Sequence, residues 1–375
     1  MLKHLFRSLW IIFFAFLFFA APARASGTWF TLLDSETAPP AAAGSSCFTG
    51  EIRMTFLGDC TLGGLESKQR SALGFVRRIE ENGLDFPFRH LKALTAEDDL
   101  TVANLEGVLS DRKLKKVPKK YNFIGPAAYT GILTSGSIEC VTLANNHSRD
   151  YGEDGFADTV SALESAGIAW FDTDAPAIWE NADGLRIGFL GVSYSLTGDR
   201  YKRFAAQAQR LKNLGCAAIV GVMHAGTEYS YSPPDRFQAQ IVQRAVKCGS
   251  CLVIGHHPHV VQGVDLVDGV PVVYSLGNCS FGGTTHAKDS DALAVRAVFS
   301  FEESALKELD LHFYPVSITS DARYNNYSPC LLSGADALRV LAKMKKSTGV
   351  DTGTWDEKEG AVLSFRINRP LISDR

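Results

Sequence analysis

The sequence predicts an α/β layered domain, and three observations carry that prediction. Short β-rich runs alternate with helix-like stretches from residue 52 to residue 276, the pattern of strands packed against helices. Nearly every apolar run ends at once in residues able to bind a metal or move a proton. Beyond His286 the character changes to longer strand-like runs with a single helix.

Taken in order, the chain opens with Lys3 and Arg7, an almost wholly apolar stretch over 9–21, and the small-x-small pattern Ala23-Arg24-Ala25. These are the parts of a signal peptide, and the apolar stretch is shorter than the roughly 20 residues of a spanning helix. Residues 1–25 therefore read as a signal removed on export to the periplasm or cell envelope, with a retained anchor as the alternative. Residues 26–50 read as a linker, with an Ala-Pro-Gly-Ser composition over 35–46. Residues 51–288 form the main domain, and 289–375 a β-rich C-terminal extension of it.

Within the main domain the strand candidates are 52–57, 100–103, 140–144, 186–192, 217–223, 251–254 and 272–276. Helix-like segments lie at 71–82, 155–166, 201–214 and 235–247. In the last, Phe237, Ile241, Val242 and Ala245 mark one apolar face. The extension reads as strands at 292–301, 309–318 and 362–367, with a helix at 335–345.

Composition narrows the function. The whole chain has 38 basic and 41 acidic side chains. Removing residues 1–25 takes away Lys3, Arg7 and Arg24 and no acid, which leaves a net charge of −6. A general nucleic-acid binder would be basic, so nucleic acid is not an expected partner. All eight cysteines follow the signal, which permits disulfides in an exported protein. Cys248-Gly-Ser-Cys251 has redox spacing, but it closes a helix-like run, whereas a redox pair opens one. A local disulfide or two buried thiols is the better reading.

The chemistry sits at the strand ends. The run over 54–59 ends in Asp59, and 100–106 ends in Asn104 and Glu106. The run over 140–147 ends in Asn145, Asn146 and His147, 219–224 ends in His224, and 252–259 ends in His256, His257 and His259. Singly, each is an ordinary turn or cap residue. Together they include five of the nine histidines, and ligands in open α/β sheets bind outside the carboxyl ends of strands. His257 and His259, two apart on a chain leaving a strand, can point the same way and ligate adjacent ions. His256 points elsewhere if the backbone stays extended. Imidazoles with carboxylates suit Zn, Mn or Fe better than Ca or Mg. Cys60, beside Asp59, reads as packing.

These motifs carry a specific resemblance. Gly58-Asp59-Cys-Thr-Leu-Gly63, Asn104-Leu-Glu106, Ala144-Asn-Asn-His147 with Asp150-Tyr-Gly152, His224-Ala-Gly226 with Glu228-Tyr229, Gly255-His-His-Pro-His259 and Tyr274-Ser-Leu-Gly-Asn278 resemble, in order, the motifs of the CapA (poly-γ-glutamate capsule biosynthesis) family of the metallophosphatase superfamily. The resemblance implies a four-layer α/β fold, two β-sheets flanked by helices, with a metal centre on the rim. It implies one or two divalent transition-metal ions held by Asp59, Glu106, Asn146, His224, His257 and His259, with His147 beside the scissile group. Asn104, Asn145, His256 and Asn278 are the candidates for substrate contact. Family members usually carry an aliphatic residue or Met in the Gly-Asp loop, where this chain has Cys60-Thr61. An aromatic commonly follows the Ser-Leu-Gly-Asn run, where it has Cys279. The Asp-x-His that opens ordinary metallophosphoesterases is missing from both family and chain.

The implied function is an exported metal-dependent hydrolase or transferase acting on a phosphate or amide bond in capsule or envelope-polymer synthesis, beside membrane-bound capsule synthesis components. His147 is the expected general acid, because imidazole titrates near neutrality, and Asp150 is placed to orient it. The alternative is a non-catalytic factor that binds or helps export an anionic polymer. Six basic residues in the loop 112–120 are either a solvated loop or an anion-attracting one.

Overall fold

The computed structural model describes residues 27–31 and 47–367. The predicted signal peptide and most of the predicted linker lie outside the described residues. Within the linker segment, Thr28–Thr31 forms an edge strand paired with Ala177–Glu180. Among the described residues no helix is long and apolar enough to cross a membrane.

Two large sheets organise the chain. The seven-stranded sheet runs Thr28–Thr31, Ala177–Glu180, Arg186–Ser193, Cys216–His224, Leu252–His256, Val270–Val273, Val264–Val267. The ten-stranded sheet contains Trp355–Asp356, Gly360–Arg366, Ala305–Ser317, Asp291–Glu302, Gly50–Thr61, Leu100–Leu105, Cys140–Thr142 and Ala169–Phe171 in spatial order. Asn278–Phe281 lies beside Gly50–Thr61, and Cys330–Leu331 beside Ala305–Ser317. Within each sheet the strands that end at site residues run parallel to one another, so their carboxyl ends share one rim.

Side-chain alternation fixes the layers. Along Asp291–Glu302, Leu293, Val295, Ala297, Phe299 and Phe301 join a core shared with Ile187, Phe189, Val220, Val222 and Ile254 of the other sheet. Ala292 and Ala294 point the opposite way, into a core with Phe75, Ile79, Ile132 and Leu163 of the covering helices. A third core lies under the helices Gly198–Asn213 and Arg236–Cys248. Helices, sheet, sheet and helices give the four layers. At roughly 1.5–3 kcal/mol for each fully buried large apolar side chain, the shared middle core is the main source of cohesion. The Arg236–Cys248 helix starts on a reciprocal cap: the Asp235 side chain accepts from the Phe237 and Gln238 amides, and Gln238 reaches back to Asp235 N.

The C-terminal strands extend the same sheet. Asp291–Glu302 pairs antiparallel with Gly50–Thr61, from Val295 opposite Phe56 to Phe301 opposite Gly50. Predicted boundaries moved where side chains took over from the ladder. The 140–144 strand stops at Thr142, because Asn145 and its neighbours turn to make side-chain bonds. The 71–82 helix begins only at Phe75.

Candidate metal centre

The same alternation aims the site residues inward. Leu100 and Val102 face the core between the sheets, and Asn104 continues their parity. Ala218, Val220 and Val222 lead to His224, and Leu252 and Ile254 lead to His256. Asp59 needs a correction of parity, and a β-bulge supplies it. Leu57 pairs with Ala103 but Asp59 with Asn104, so Gly58 is the extra residue. A Cβ on Gly58 would lie 2.3 Å from the Gly277 carbonyl oxygen, which is why this position lacks one. Asp59 N donates to that same carbonyl at 3.0 Å.

The result is a buried cluster. Asp59 is fully buried; its Oδ1 accepts from Asn104 Nδ2 at 2.8 Å and lies 3.3 Å from His256 Nδ1. Its Oδ2 lies 3.1 Å from His259 Nδ1. Asn145 donates to Asn104 Oδ1 at 3.0 Å and to the Leu105 carbonyl at 2.8 Å. Asn278 Oδ1 sits 2.8 Å from His259 Nδ1. The amides of Asn104 and Asn145 and the Asn278 side-chain oxygen are thus engaged on protein partners. His256 corrects the expectation that it would point away. It is the last residue of its strand, while the chain breaks from extended geometry just after it, with φ of 98° at His257 and 57° at His259. All three histidines of this run therefore reach the cluster.

Two groups of candidate ligands adjoin. Asp59, Glu106 and His259 offer atoms that all lie within 4.8 Å of one another. In the second group, His224 Nε2 lies 2.7 Å from Asn146 Oδ1 and 3.1 Å from His257 Nδ1. Glu106 joins the two, with Oε1 3.7 Å from His224 Nε2. Both Glu106 oxygens are buried and, among the described residues, neither accepts a hydrogen bond. A buried carboxylate without a partner is costly, so a cation ligated here fits the residues present.

Electrostatics describes the same need. Burial, with Asp59 close by, pushes the Glu106 carboxyl up to about 8. Burial would raise Asp59 too, but hydrogen bonds with His256 and His259 hold it well below the usual carboxylate range. Burial opposes charging His259, yet Glu106, Asp59 and Asn278 together raise it to about 10. Burial and the neighbouring His257 keep His224 well below its ordinary value, and burial with His259 lowers His257 to about 4. Neutral imidazoles are the metal-binding form.

Asn146 and His147 diverge at the turn after Thr142. Asn146 faces His224, while His147 puts Nδ1 2.8 Å from Asp150 Oδ2 and Nε2 3.7 Å from Glu106 Oε1. Burial lowers His147 below 6.5 despite Asp150, so it titrates on the acid side of neutrality. Asp150 is itself held from several sides. Phe123 N donates to its Oδ2 at 2.6 Å, and Lys119 forms an ion pair with its other oxygen. Lys119 also donates to the Asn146 carbonyl at 2.7 Å.

Lys119 was not among the sequence candidates for the site. It belongs to the basic loop 112–120, where Arg112 pairs with Asp158 and Lys116 with Glu66 as Lys119 does with Asp150. Also missed were Phe123, whose ring centroid lies 4.3 Å from that of His147, and Phe281, 5.1 Å from His259. Phe123, in the loop segment Tyr121-Asn-Phe-Ile-Gly125, carries no sequence signal of this kind, whereas Phe281 lies two past Cys279, where an aromatic commonly follows the Ser-Leu-Gly-Asn run. Cys60 and Cys279 are buried in the helix-side core, as packing residues. Cys248 and Cys251 are buried free thiols.

With this geometry in hand, the comparisons are specific. Residues 53–282 match the family described as bacterial capsule synthesis protein PGA_cap. The chain is 28% identical over 351 residues to the capsule biosynthesis protein CapA of Bacillus anthracis, covering 87% of this chain and 80% of that protein. It is 27% identical over 265 residues to the PGA biosynthesis protein CapA of Bacillus subtilis (strain 168), covering 64% and 66%. Among solved structures, the calcineurin-like phosphoesterase YfkN from Bacillus subtilis aligns over 80% of this chain and 96% of that one, with a TM-score of 0.39 and 12% identity.

Proposed function

The chain belongs to the bacterial capsule synthesis family, and from that premise we propose that it is an exported metal-dependent hydrolase or transferase acting on an acidic envelope polymer. The observation that carries the reading is Glu106, a fully buried carboxylate with no hydrogen-bond partner among five other metal-competent side chains. Export is part of this proposal and is supported by the signal-like pattern of residues 1–25; an exported protein would work at the cell envelope, near membrane-bound partners in capsule synthesis.

Asp59, Glu106 and His259 would hold one divalent ion, and Asn146, His224 and His257 a neighbouring one, with Zn, Mn or Fe suited to these ligands. Such ions polarise a phosphoryl or acyl oxygen and lower the pKa of water. Asn104 fixes the Asp59 carboxylate by its 2.8 Å bond, and Asn145 fixes Asn104 in turn. Asp150 sets the His147 ring so that Nε2 faces the cluster. His147 holds the proton at Nε2 for the leaving group, and Lys119 balances the charge of Asp150 behind it.

The test combines elemental analysis with turnover of aryl phosphate esters and γ-glutamyl amides by metal-reconstituted protein. Metal-dependent turnover of either class is the expected result. Bound metal without turnover would return the chain to the polymer-handling role. N-terminal sequencing of envelope-fraction protein should begin at Ser26; an intact Met1 would show a retained anchor.

A further inference from the structure

We propose that the mouth of the metal centre carries a binding wall for a polycarboxylate chain, built from Tyr121 and Tyr229 with the lysines over their rings, Lys120 and Lys288. This rests on the acidic-polymer reading above and names the residues that would grip it.

The wall is a continuous run of rings. Tyr121 stacks on Phe123 at 6.5 Å, Phe123 meets Phe281 at 6.1 Å, Phe281 meets His259 at 5.1 Å, and His259 meets Tyr229 at 6.1 Å. Phe123 and Phe281 are buried at its base, while Tyr121 is 46% exposed. A lysine closes each end: Lys120 Nζ lies 4.9 Å from the Tyr121 ring, and Lys288 Nζ lies 4.1 Å from the Tyr229 ring. Both lysines belong to exposed residues. They come from segments far apart in sequence, Lys120 between Glu106 and Asn146 and Lys288 after the last proposed ligand, His259.

The chemistry selects the occupant. Ring faces offer apolar surface for methylene groups, and a lysine held over a ring keeps its charge while losing little freedom on pairing. Such a surface suits carboxylates spaced by methylenes. Glu228 is exposed in the same rim and acts electrostatically on Lys120, Tyr229 and Glu106. Its charge disfavours a ligand whose negative groups crowd adjacent backbone units, such as polyphosphate, more than one whose carboxylates are set apart by methylenes and amides. Lys116 and Lys119 of the same basic loop are committed to Glu66 and Asp150, and Lys120 is the loop lysine that lies over a ring of the wall.

The experiment measures binding of a labelled polyglutamate oligomer to the metal-loaded full chain across a salt series, with polyphosphate of matched charge as comparison. Lys120→Gln and Lys288→Gln should each weaken polyglutamate binding about two- to fivefold, and the pair about tenfold with a shallower salt dependence. Lys116→Gln should bind like wild type, and melting temperatures should verify that all variants fold. The proposal is overturned if wild type does not bind polyglutamate, if the double variant binds as well as wild type, or if polyphosphate binds as tightly with the same lysine dependence. Wild-type turnover of small aryl phosphates tests the catalytic reading separately. Lysine-dependent polymer binding without turnover would remove the catalysis and keep the wall; turnover without such binding would remove the wall alone.

Discussion

His147 and Asp150 share one tight turn, with Nδ1 of the imidazole 2.8 Å from Oδ2 of the carboxylate. That contact occupies the ring nitrogen facing away from the ligands and leaves Nε2 toward Glu106. His147→Ala should therefore leave metal content nearly unchanged. It should reduce turnover by roughly a hundred- to ten-thousandfold, the usual worth of a general acid, and least for esters with good leaving groups. Because burial holds the ring below 6.5, this contribution should be full at low pH and fade as pH rises through a midpoint below 6.5. Loss of metal in the Ala variant would make His147 a ligand instead.

Glu106 has the opposite signature. Without a cation it is a buried carboxyl beside Asp59 with no hydrogen-bond partner, a cost of about 1–3 kcal/mol. Glu106→Gln should raise the melting temperature of metal-free protein, or leave it unchanged, while abolishing the upward shift on adding Zn or Mn. A variant that still gains stability from metal would show that Glu106 is dispensable for binding.

Metal uptake should release protons. Burial raises Glu106 to about 8, and Asp59 and Asn278 favour the charged form of His259, so the Asp59–Glu106–His259 group of metal-free protein holds a proton at pH 7 that ligation must displace. Affinity should rise with pH across this range. Calorimetry in buffers of different ionisation enthalpy should read out the released protons; heats independent of buffer would contradict it.

Backbone crowding gives a stability prediction. A Cβ on Gly255 would lie 2.0 Å from the Tyr274 carbonyl oxygen and 2.9 Å from Met223 Cε. Gly255→Ala should cost at least about 1–3 kcal/mol and weaken metal binding by moving His256 to His259. By contrast Asp235→Ala, which removes a helix cap and an exposed bond from Thr227 Oγ1 at 3.0 Å, should cost about 1 kcal/mol with metal affinity intact. Denaturant midpoints with metal titrations separate the two.

Much of the fold was legible because strand ends and chemistry coincide. Runs such as 217–223 are apolar on both faces and stop at a histidine, so strand and site residue announce each other. Ala177–Glu180 and Val264–Val267 were missed, being four residues each with no chemistry at their ends. His256 was misjudged because the inward parity was assigned to His257 and His259; His256 keeps the parity of Leu252 and Ile254, and the other two arrive by positive φ after the strand. Lys119 and Lys288 were hidden for another reason: a lysine in a loop looks the same whether it meets solvent, a buried carboxylate or a tyrosine ring.

The pairing of Asp291–Glu302 with Gly50–Thr61 sets the smallest piece of chain worth expressing. A fragment ending at Gly282 keeps all six proposed ligands and the whole family-matched segment. Yet it strips the neighbour from Gly50 through Phe56, turning the strand that carries Asp59 into a bare edge open to other chains. It also empties the middle core of Val295, Ala297, Phe299, Leu309, Leu311 and Phe313. Such a fragment should aggregate rather than take up metal, so the last quarter of the chain serves as the scaffold on which the first ligand is hung.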